Sequence, residues 1–332
     1  MERPEPDAAT LEKIVSAAIA APSIHNTQPW RFRGDARAGT VLLEAVPERR
    51  LTHTDPAGRA LHLSAGAALF NLRVAAAHFG WHLALRLLPD PATPGLLAAL
   101  QVTGTPGHGA AEPAQPPEHD LYDAVWHRHS SRFPYANRPL PQRVAAALTE
   151  AARYEGASLR LPDAEETQRL LRITADGEWR NAHDPERRAE SRGWLRDTGS
   201  FGLPPTATGP QDVSGHLPVR DFTGAPQILP TEVFETNPTI AVLSTAHDRR
   251  ADWLHAGEAL EHALLVATAH SVRTSLLHQA LEWPDLRAAL RDPRHDPGPV
   301  QMLIRLGYGP AGEPTARRPV RQAFRASPRS TW

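Results

Sequence analysis

Apolar residues recur at helical spacing in four stretches of the chain. LEKIVSAAIAA (Leu11 to Ala21) carries Leu11, Ile14, Val15, Ala18 and Ile19 on one face, and Pro22 ends the helix by disfavouring helical geometry at the residue before it. PQRVAAALTEAA (Pro141 to Ala152) is a second apolar helix. LSAGAALFNLRVAAAHFG (Leu63 to Gly80) and LHAGEALEHALLVATAHS (Leu254 to Ser271) place small and apolar residues on more than one face, which predicts long, mostly buried helices. Short runs rich in apolar and β-branched residues predict strands: TVLLEAV (Thr40 to Val46), WHLALRLL (Trp81 to Leu88), SLRLP (Ser158 to Pro162), TIAVLST (Thr239 to Thr245) and VQMLIRLGYG (Val300 to Gly309). Helices outnumber strands, so the expected class is α+β.

The two long helices align without a gap on Ala-Gly-x-Ala-Leu, Ala65 to Leu69 and Ala256 to Leu260, and Leu11 to Ala21 has its counterpart in Pro141 to Ala152. The strands Trp81 to Leu88 and Val300 to Gly309 read as the elements that follow each long helix. Two linked similarities predict a duplication, with related lobes packed as an intramolecular pseudo-dimer. Residues 104–120, dense in Gly, Pro and Ala, read as a crossing between them. The expected division is a first lobe over 1–105, a linker over 106–120 and a second lobe over 121–332. Residues 193–230 show no sustained period and read as a lid-like insertion over a site.

Composition narrows the chemistry. Thirty-six basic residues face 37 acidic ones, which gives no electrostatic footprint of a nucleic-acid binder. The absence of cysteine excludes disulfides, thiolate metal sites and a cysteine nucleophile, so redox chemistry has to come from a bound cofactor. The start MERPEPD is unlike a signal peptide, and no apolar run approaches the roughly 20 residues of a membrane span. The expectation is a cytoplasmic protein without nucleic-acid or membrane partners.

Two polar clusters stand out. In APSIHNTQPWRF (residues 21 to 32), Ser23, His25, Asn26, Thr27 and Gln28 lie between a helix end and the apolar Trp30, which reads as core. An ordinary helix-to-strand loop accounts for the spacing equally well. In LYDAVWHRHSSRFPYANRPLP (residues 121 to 141), Arg128, Ser130 and Arg132 occupy alternate positions, a donor set suited to phosphate. A solvated basic turn paired with Glu118, Asp120 or Asp123 is the competing explanation. His127 and His129 have ligand-like spacing but no metal-site frame around them, so no metal is assigned. Ser64 lacks a nucleophile-elbow motif, and Gly104, Gly107 and Gly109 lack the flanking strand and helix of a dinucleotide fingerprint.

Together, the Pro-Ser-x-x-Asn-x-Gln-Pro-Trp loop, Arg128-x-Ser130-x-Arg132 and the terminal ARRPV (Ala316 to Val320) resemble the FMN-dependent nitroreductase family. Residues 55 to 75 and 303 to 320 are similar to its tandem, single-chain Acg-type branch. The resemblance implies a nitroreductase-like fold, antiparallel-type mixed sheets flanked by helices, and a monomeric pseudo-dimer or a homodimer. Ordinary members carry all three elements in one subunit and build two sites per homodimer. Here the first half has the loop without an Arg-x-Ser, and the second half has Arg128, Ser130, Arg132 and Arg317 without the loop. That complementary loss implies one FMN per chain, at the lobe junction.

By position, Arg128, Ser130 and Arg317 match phosphate-holding residues, and Arg132 matches a cation near the flavin pyrimidine edge. Ser23 and Asn26 approach from the other lobe, with Gln28 orienting the loop beside them. His278 and Gln279 fall where the family places a backbone N–H near flavin N5, although the usual Glu-Gly or Gly-Gly is absent. The implied activity is hydride transfer between NAD(P)H, or an organic donor, and a small acceptor such as a nitroaromatic or quinone. A lid-covered FMN store is the alternative.

Overall fold

The computed structural model describes residues 7–35, 40–104, 121–224, 229–292, 294–295 and 298–326. The expected linker, 106–120, therefore lies outside the described residues. In the first part of the chain, α1 (Ala8–Ile19), β1 (Trp30–Asp35), β2 (Thr40–Ala45), α2 (Arg59–His78), β3 (His82–Leu87) and β4 (Leu96–Gly104) follow in order. After α3 (Tyr122–His127) the same order returns, as α4 (Gln142–Tyr154) and β5 (Ser158–Arg160). An insertion then supplies α5 (Ala164–His183), α6 (Pro185–Gly193) and two short parallel strands, β6 (Gln211–Asp212) and β7 (Thr231–Glu232). The repeat resumes with β8 (Thr239–Ser244), α7 (Arg250–Ala269) and β9 (Arg273–Leu277), passes α8 (Pro284–Ala289), and closes with β10 (Val300–Gly307). A terminal arm adds α9 (Val320–Ala323) and β11 (Phe324–Ala326).

The sheets carry the duplication in their topology. The first runs β11-β1-β2-β4-β3 and the second β5-β8-β10-β9, so the four repeated strands have the same order in both. They pair antiparallel throughout, and only β11 joins β1 in parallel, with Phe32 opposite Phe324. The strand matching expected from sequence needs one correction. The counterpart of β3 is β9, and β10 corresponds to β4, a strand not anticipated because its Ala-rich run follows a Pro- and Gly-rich turn and lacks β-branched residues at its start.

The repeated glycines fix how the lobes meet. A Cβ on Gly66 would lie 2.0 Å from the Leu254 carbonyl oxygen, and one on Gly257 would lie 2.1 Å from that of Leu63. Leu63 and Leu254 are themselves repeat partners, so these are one contact seen from both sides of a pseudo-two-fold axis. Only residues without a side chain let the α2 and α7 backbones approach this closely. Being covered on most sides also explains why α2 is mostly small and apolar and almost wholly buried.

Two further connections interlock the lobes. Leu121, Ala124 and Val125 around α3, and Ala323 of the terminal arm, belong to the core formed by α1, α2 and the first sheet. Trp30 is fully buried in the same core. Asp55 fixes the start of α2 by accepting from the backbone N–H groups of Ala60 (3.0 Å) and Leu61 (2.9 Å), which would otherwise lack partners.

Candidate functional site

A cavity of about 1250 Å³, counted out to its open mouth, lies between the lobes. Its wall includes Ser23, Asn26, Arg128, Ser130, Arg132, His278, Gln279 and Arg317, eight of the nine residues singled out from sequence. Gln28 is the exception and does not line the cavity. Its amide ties the loop down instead: Nε2 donates to the Ser200 carbonyl at 2.8 Å and Oε1 accepts from the Arg318 N–H at 2.9 Å.

The loop holds an unfavourable backbone. His25, Asn26 and Gln28 all have positive φ, near 50°, a region that non-glycine residues seldom occupy. The contacts around them over-determine it. Ser23 Oγ accepts from Gln28 N–H (2.9 Å), while Asn26 Nδ2 donates to the carbonyls of Gly202 (2.8 Å) and Ala316 (2.9 Å). The helix-end loop, the inserted segment at Gly202 and the C-terminal segment at Ala316 are thereby locked together.

At one end of the cavity Arg128 and Arg317 converge. Arg128 leaves α3 in extended conformation, and the chain behind it hooks onto β9 through the Ser131 N–H to Thr274 carbonyl bond of 2.8 Å. Ser131 turns into the protein and donates to Pro310, whereas His129 joins Ser130 at the cavity wall. The C-terminal segment clamps this turn so closely that a Cβ on Gly312 would sit 1.9 Å from the Ser130 carbonyl oxygen. Arg317 donates to Asn26 Oδ1 (3.1 Å) and Thr315 Oγ1 (2.6 Å), and both arginines reach the Ala20 carbonyl at the C-terminal end of α1. One buried carboxylate, Glu261, faces them, 3.4 Å from Arg128 Nε.

This end carries more positive charge than its protein partners balance. Nε of Arg128 and Nε of Arg317 are buried without hydrogen bonds. Burial, with Arg128 alongside, pushes Arg317 down to about 9, and burial beside the two arginines pushes His129 down to about 4. Such groups gain most from an anion with several oxygens.

The other end is bordered by Arg132 and by Arg220 and Phe222 of the inserted segment. Arg132 donates to the Ala207 carbonyl (2.8 Å) and lies over the Phe222 ring. Arg220 lies over the same ring and forms a buried ion pair with Glu282. His278 is held between that carboxylate and Arg59, at 3.1 Å each. His25 packs edge-on against Phe222, with ring centroids 5.4 Å apart, and neither ring nitrogen has a partner. Burial, then Arg220, keeps its imidazole well below the ordinary histidine range, hence neutral. Leu63, Ala67, Leu217, Val219, Leu260 and Met302 give the stretch between the ends an apolar lining.

Arg220, Phe222 and His25 were not singled out from sequence. His25 stood inside the quoted loop, and its buried, unpaired ring marks it only in three dimensions. Arg220 and Phe222 sit in the segment without periodicity, where no spacing signal exists.

No protein-family model matches the chain. It is 34% identical over 327 residues to the Mycobacterium tuberculosis protein Rv3131, named as an NAD(P)H nitroreductase, covering 96% of this chain and 91% of that one. Acg of the same organism, also named as an NAD(P)H nitroreductase, is 29% identical with 95% of each chain covered. Among solved structures it is similar to a protein of Anabaena variabilis named as a nitroreductase, at 13% identity and a TM-score of 0.46 over 92% of this chain and 90% of that one. It is also similar to a Bacteroides fragilis nitroreductase with bound FMN, at 16% identity and a TM-score of 0.36 over 60% of this chain and 93% of that one. The near full-length likeness to Rv3131 establishes that the chain belongs to the NAD(P)H nitroreductase family of oxidoreductases.

Proposed function

We propose that the chain is an FMN-dependent oxidoreductase that moves reducing equivalents between NAD(P)H, or an organic donor, and a small acceptor such as a nitroaromatic or quinone. The observation that carries this reading is the charge layout of the cavity. Five arginines, Arg128, Arg132, Arg220, Arg305 and Arg317, stand in its wall against one carboxylate, Glu313. Three of the five face buried carboxylates, Arg305 with Glu235, Arg220 with Glu282 and, more loosely, Arg128 with Glu261 at 3.4 Å. Among the described residues Arg317 and Arg132 have no ion pair of their own, and Arg128 shares only Glu261 with Arg317, which suits an elongated ligand anionic at one end and electron-accepting at the other.

FMN meets that description, and when bound it supplies hydride transfer chemistry. Arg128, Ser130 and Arg317 hold its phosphate through charge-assisted and neutral hydrogen bonds. Arg132 and Arg220 offer fixed positive charge where a reduced ring accumulates negative charge, an electrostatic role that costs no reorganisation. Ser23 and Asn26 secure the cofactor from the first-lobe loop, and Leu217, Val219 and Phe222 shield it from water. His25 is free to hydrogen-bond a ligand as a neutral imidazole.

The latching of the lid supports the second reading, a store that covers its flavin. Gly202 is bonded to Asn26, Ser200 to Gln28 and Ala207 to Arg132, so the cover is tied to both halves of the site. One experiment separates these readings. The purified protein is expected to show oxidised-flavin absorbance that bleaches under anaerobic NADH or NADPH; a bound flavin that resists both reductants selects the store. Arg128→Ala is expected to weaken FMN binding by roughly 10- to 100-fold, the loss of one charge-assisted contact of about 1.5–3 kcal/mol. Undiminished affinity in that variant would move the phosphate site elsewhere.

A further inference from the structure

Glu261 is unexplained by any role so far given to the cavity. It lies on α7, fully buried, behind the Arg128 and Arg317 end rather than in the wall. Arg128 Nε, 3.4 Å away, does not close to a hydrogen bond with it and is itself without a partner, which leaves the Asn71 side chain as the carboxylate's hydrogen-bonding neighbour. The other groups facing it are Asn71 from α2 and Arg317 from the C-terminal segment, with His129 beside the two arginines. A structural ion pair at this depth would be expected to close to hydrogen-bond contact, because a loosely paired buried carboxylate is costly. The repeat partner of Glu261 is Phe70, so the fold does not need a carboxylate at this position on the long helix.

We infer that Glu261 is an exchangeable counter-ion of the phosphate cradle: it balances the arginines when the cradle is empty and takes up a proton from solvent when a phosphate ester binds. The inference rests on the cavity being a phosphate-ester site. A phosphate dianion brings two negative charges to guanidiniums that Glu261 otherwise shares. Two anions competing for the same cations in a buried site favour protonation of the weaker acid. Burial, moderated by Arg128, already pushes the Glu261 carboxyl up to about 7. A bound phosphate raises it further, so above pH 7 each binding event consumes a proton and wild-type affinity falls, at most tenfold per pH unit. Glu261→Gln keeps the shape, removes the charge and should abolish this dependence. Glu261 thus acts through Arg128 and Arg317 as a positioning and charge-setting residue.

The test compares flavin-fluorescence titrations of FMN-free wild-type and Glu261→Gln protein at pH 6.5 and 8.5, with riboflavin as the phosphate-free probe. Comparing the two proteins cancels the phosphate's own second ionisation near pH 6. The ratio of wild-type to variant Kd for FMN is expected to rise roughly tenfold between the two pH values, with no change for riboflavin. Calorimetry of wild type in two buffers of different ionisation enthalpy at pH 8 is expected to show uptake of about one proton per FMN; this reading stands even if the variant folds poorly. His129, whose imidazole is held near 4, does not contribute at that pH. FMN binding with a pH-independent ratio, or without proton uptake, would overturn the inference and leave the cofactor assignment intact. Absence of FMN binding to both proteins at both pH values would overturn the two together.

Discussion

The duplicated lobes create two equivalent grooves, one on each side of the α2–α7 crossing, and the two have been filled in opposite ways. In the first, Ser64 and Ala67 of α2 line the cavity, and residues 20–29 form the strained loop. Their repeat partners on α7 are His255 and Glu258, and here α4 passes to β5 through residues 155–157 alone. Glu258 and Glu155 both receive Arg73 (3.0 and 2.7 Å), His255 pairs with Glu258 at 3.3 Å and His262 with Glu155 at 3.2 Å. Phe70 stacks on His262, with ring centroids 4.6 Å apart. The second groove is a closed network in which carboxylates and cations balance one another. In the first, arginines exceed carboxylates and donors stay open. A ligand site differs from a structural polar cluster in its unsatisfied charge rather than in the number of its charges.

The largest effect expected from breaking this comparison comes at the axis itself. Gly66→Val should prevent the lobes from docking, because the added atoms meet the backbone of α7, which cannot move aside as a side chain could. Overpacking in cores usually costs about 1–3 kcal/mol, and a backbone clash at the centre exceeds that range. Urea denaturation should show loss of the native baseline or a midpoint far below wild type, and a near-wild-type midpoint would remove the axis from the account. Smaller, and specific to the filled groove, is Glu258→Ala. It takes one carboxylate from Arg73 and from His255 and should lower stability by about 1–3 kcal/mol, the scale for leaving a buried polar group short of a partner. FMN affinity should stay within about twofold of wild type, because the network lies outside the cavity wall. A parallel loss of flavin binding would mean that the two grooves are not independent.

Much of this was legible in the sequence because it rests on local signals. The Gly66 and Gly257 motif exposed the duplication, and the same glycines turn out to be the crossing point. The Pro22 stop and the polar run after it marked the loop, and alternate positions in Arg128-x-Ser130-x-Arg132 marked three side chains that line the cavity. What escaped depends on pairings distant along the chain. Nothing local shows that Phe324 adds a parallel strand beside Phe32, or that Glu155 and Glu258 close the second groove around Arg73. Gln28 was read as orienting the loop, but the partners through which it does so, the Ser200 carbonyl and the Arg318 N–H, lie far along the chain and leave no local signal. Arg220 and Phe222 could not be ranked, since a segment without period gives no means of telling which side chains face inward.

The most direct test of the central claim, one open groove and one filled groove per chain, is the stoichiometry of flavin binding. Native mass spectrometry of the protein saturated with FMN is expected to show one FMN per 332-residue chain. Two FMN per chain, or one that persists when Arg128 and Arg317 are both replaced by alanine, would contradict it.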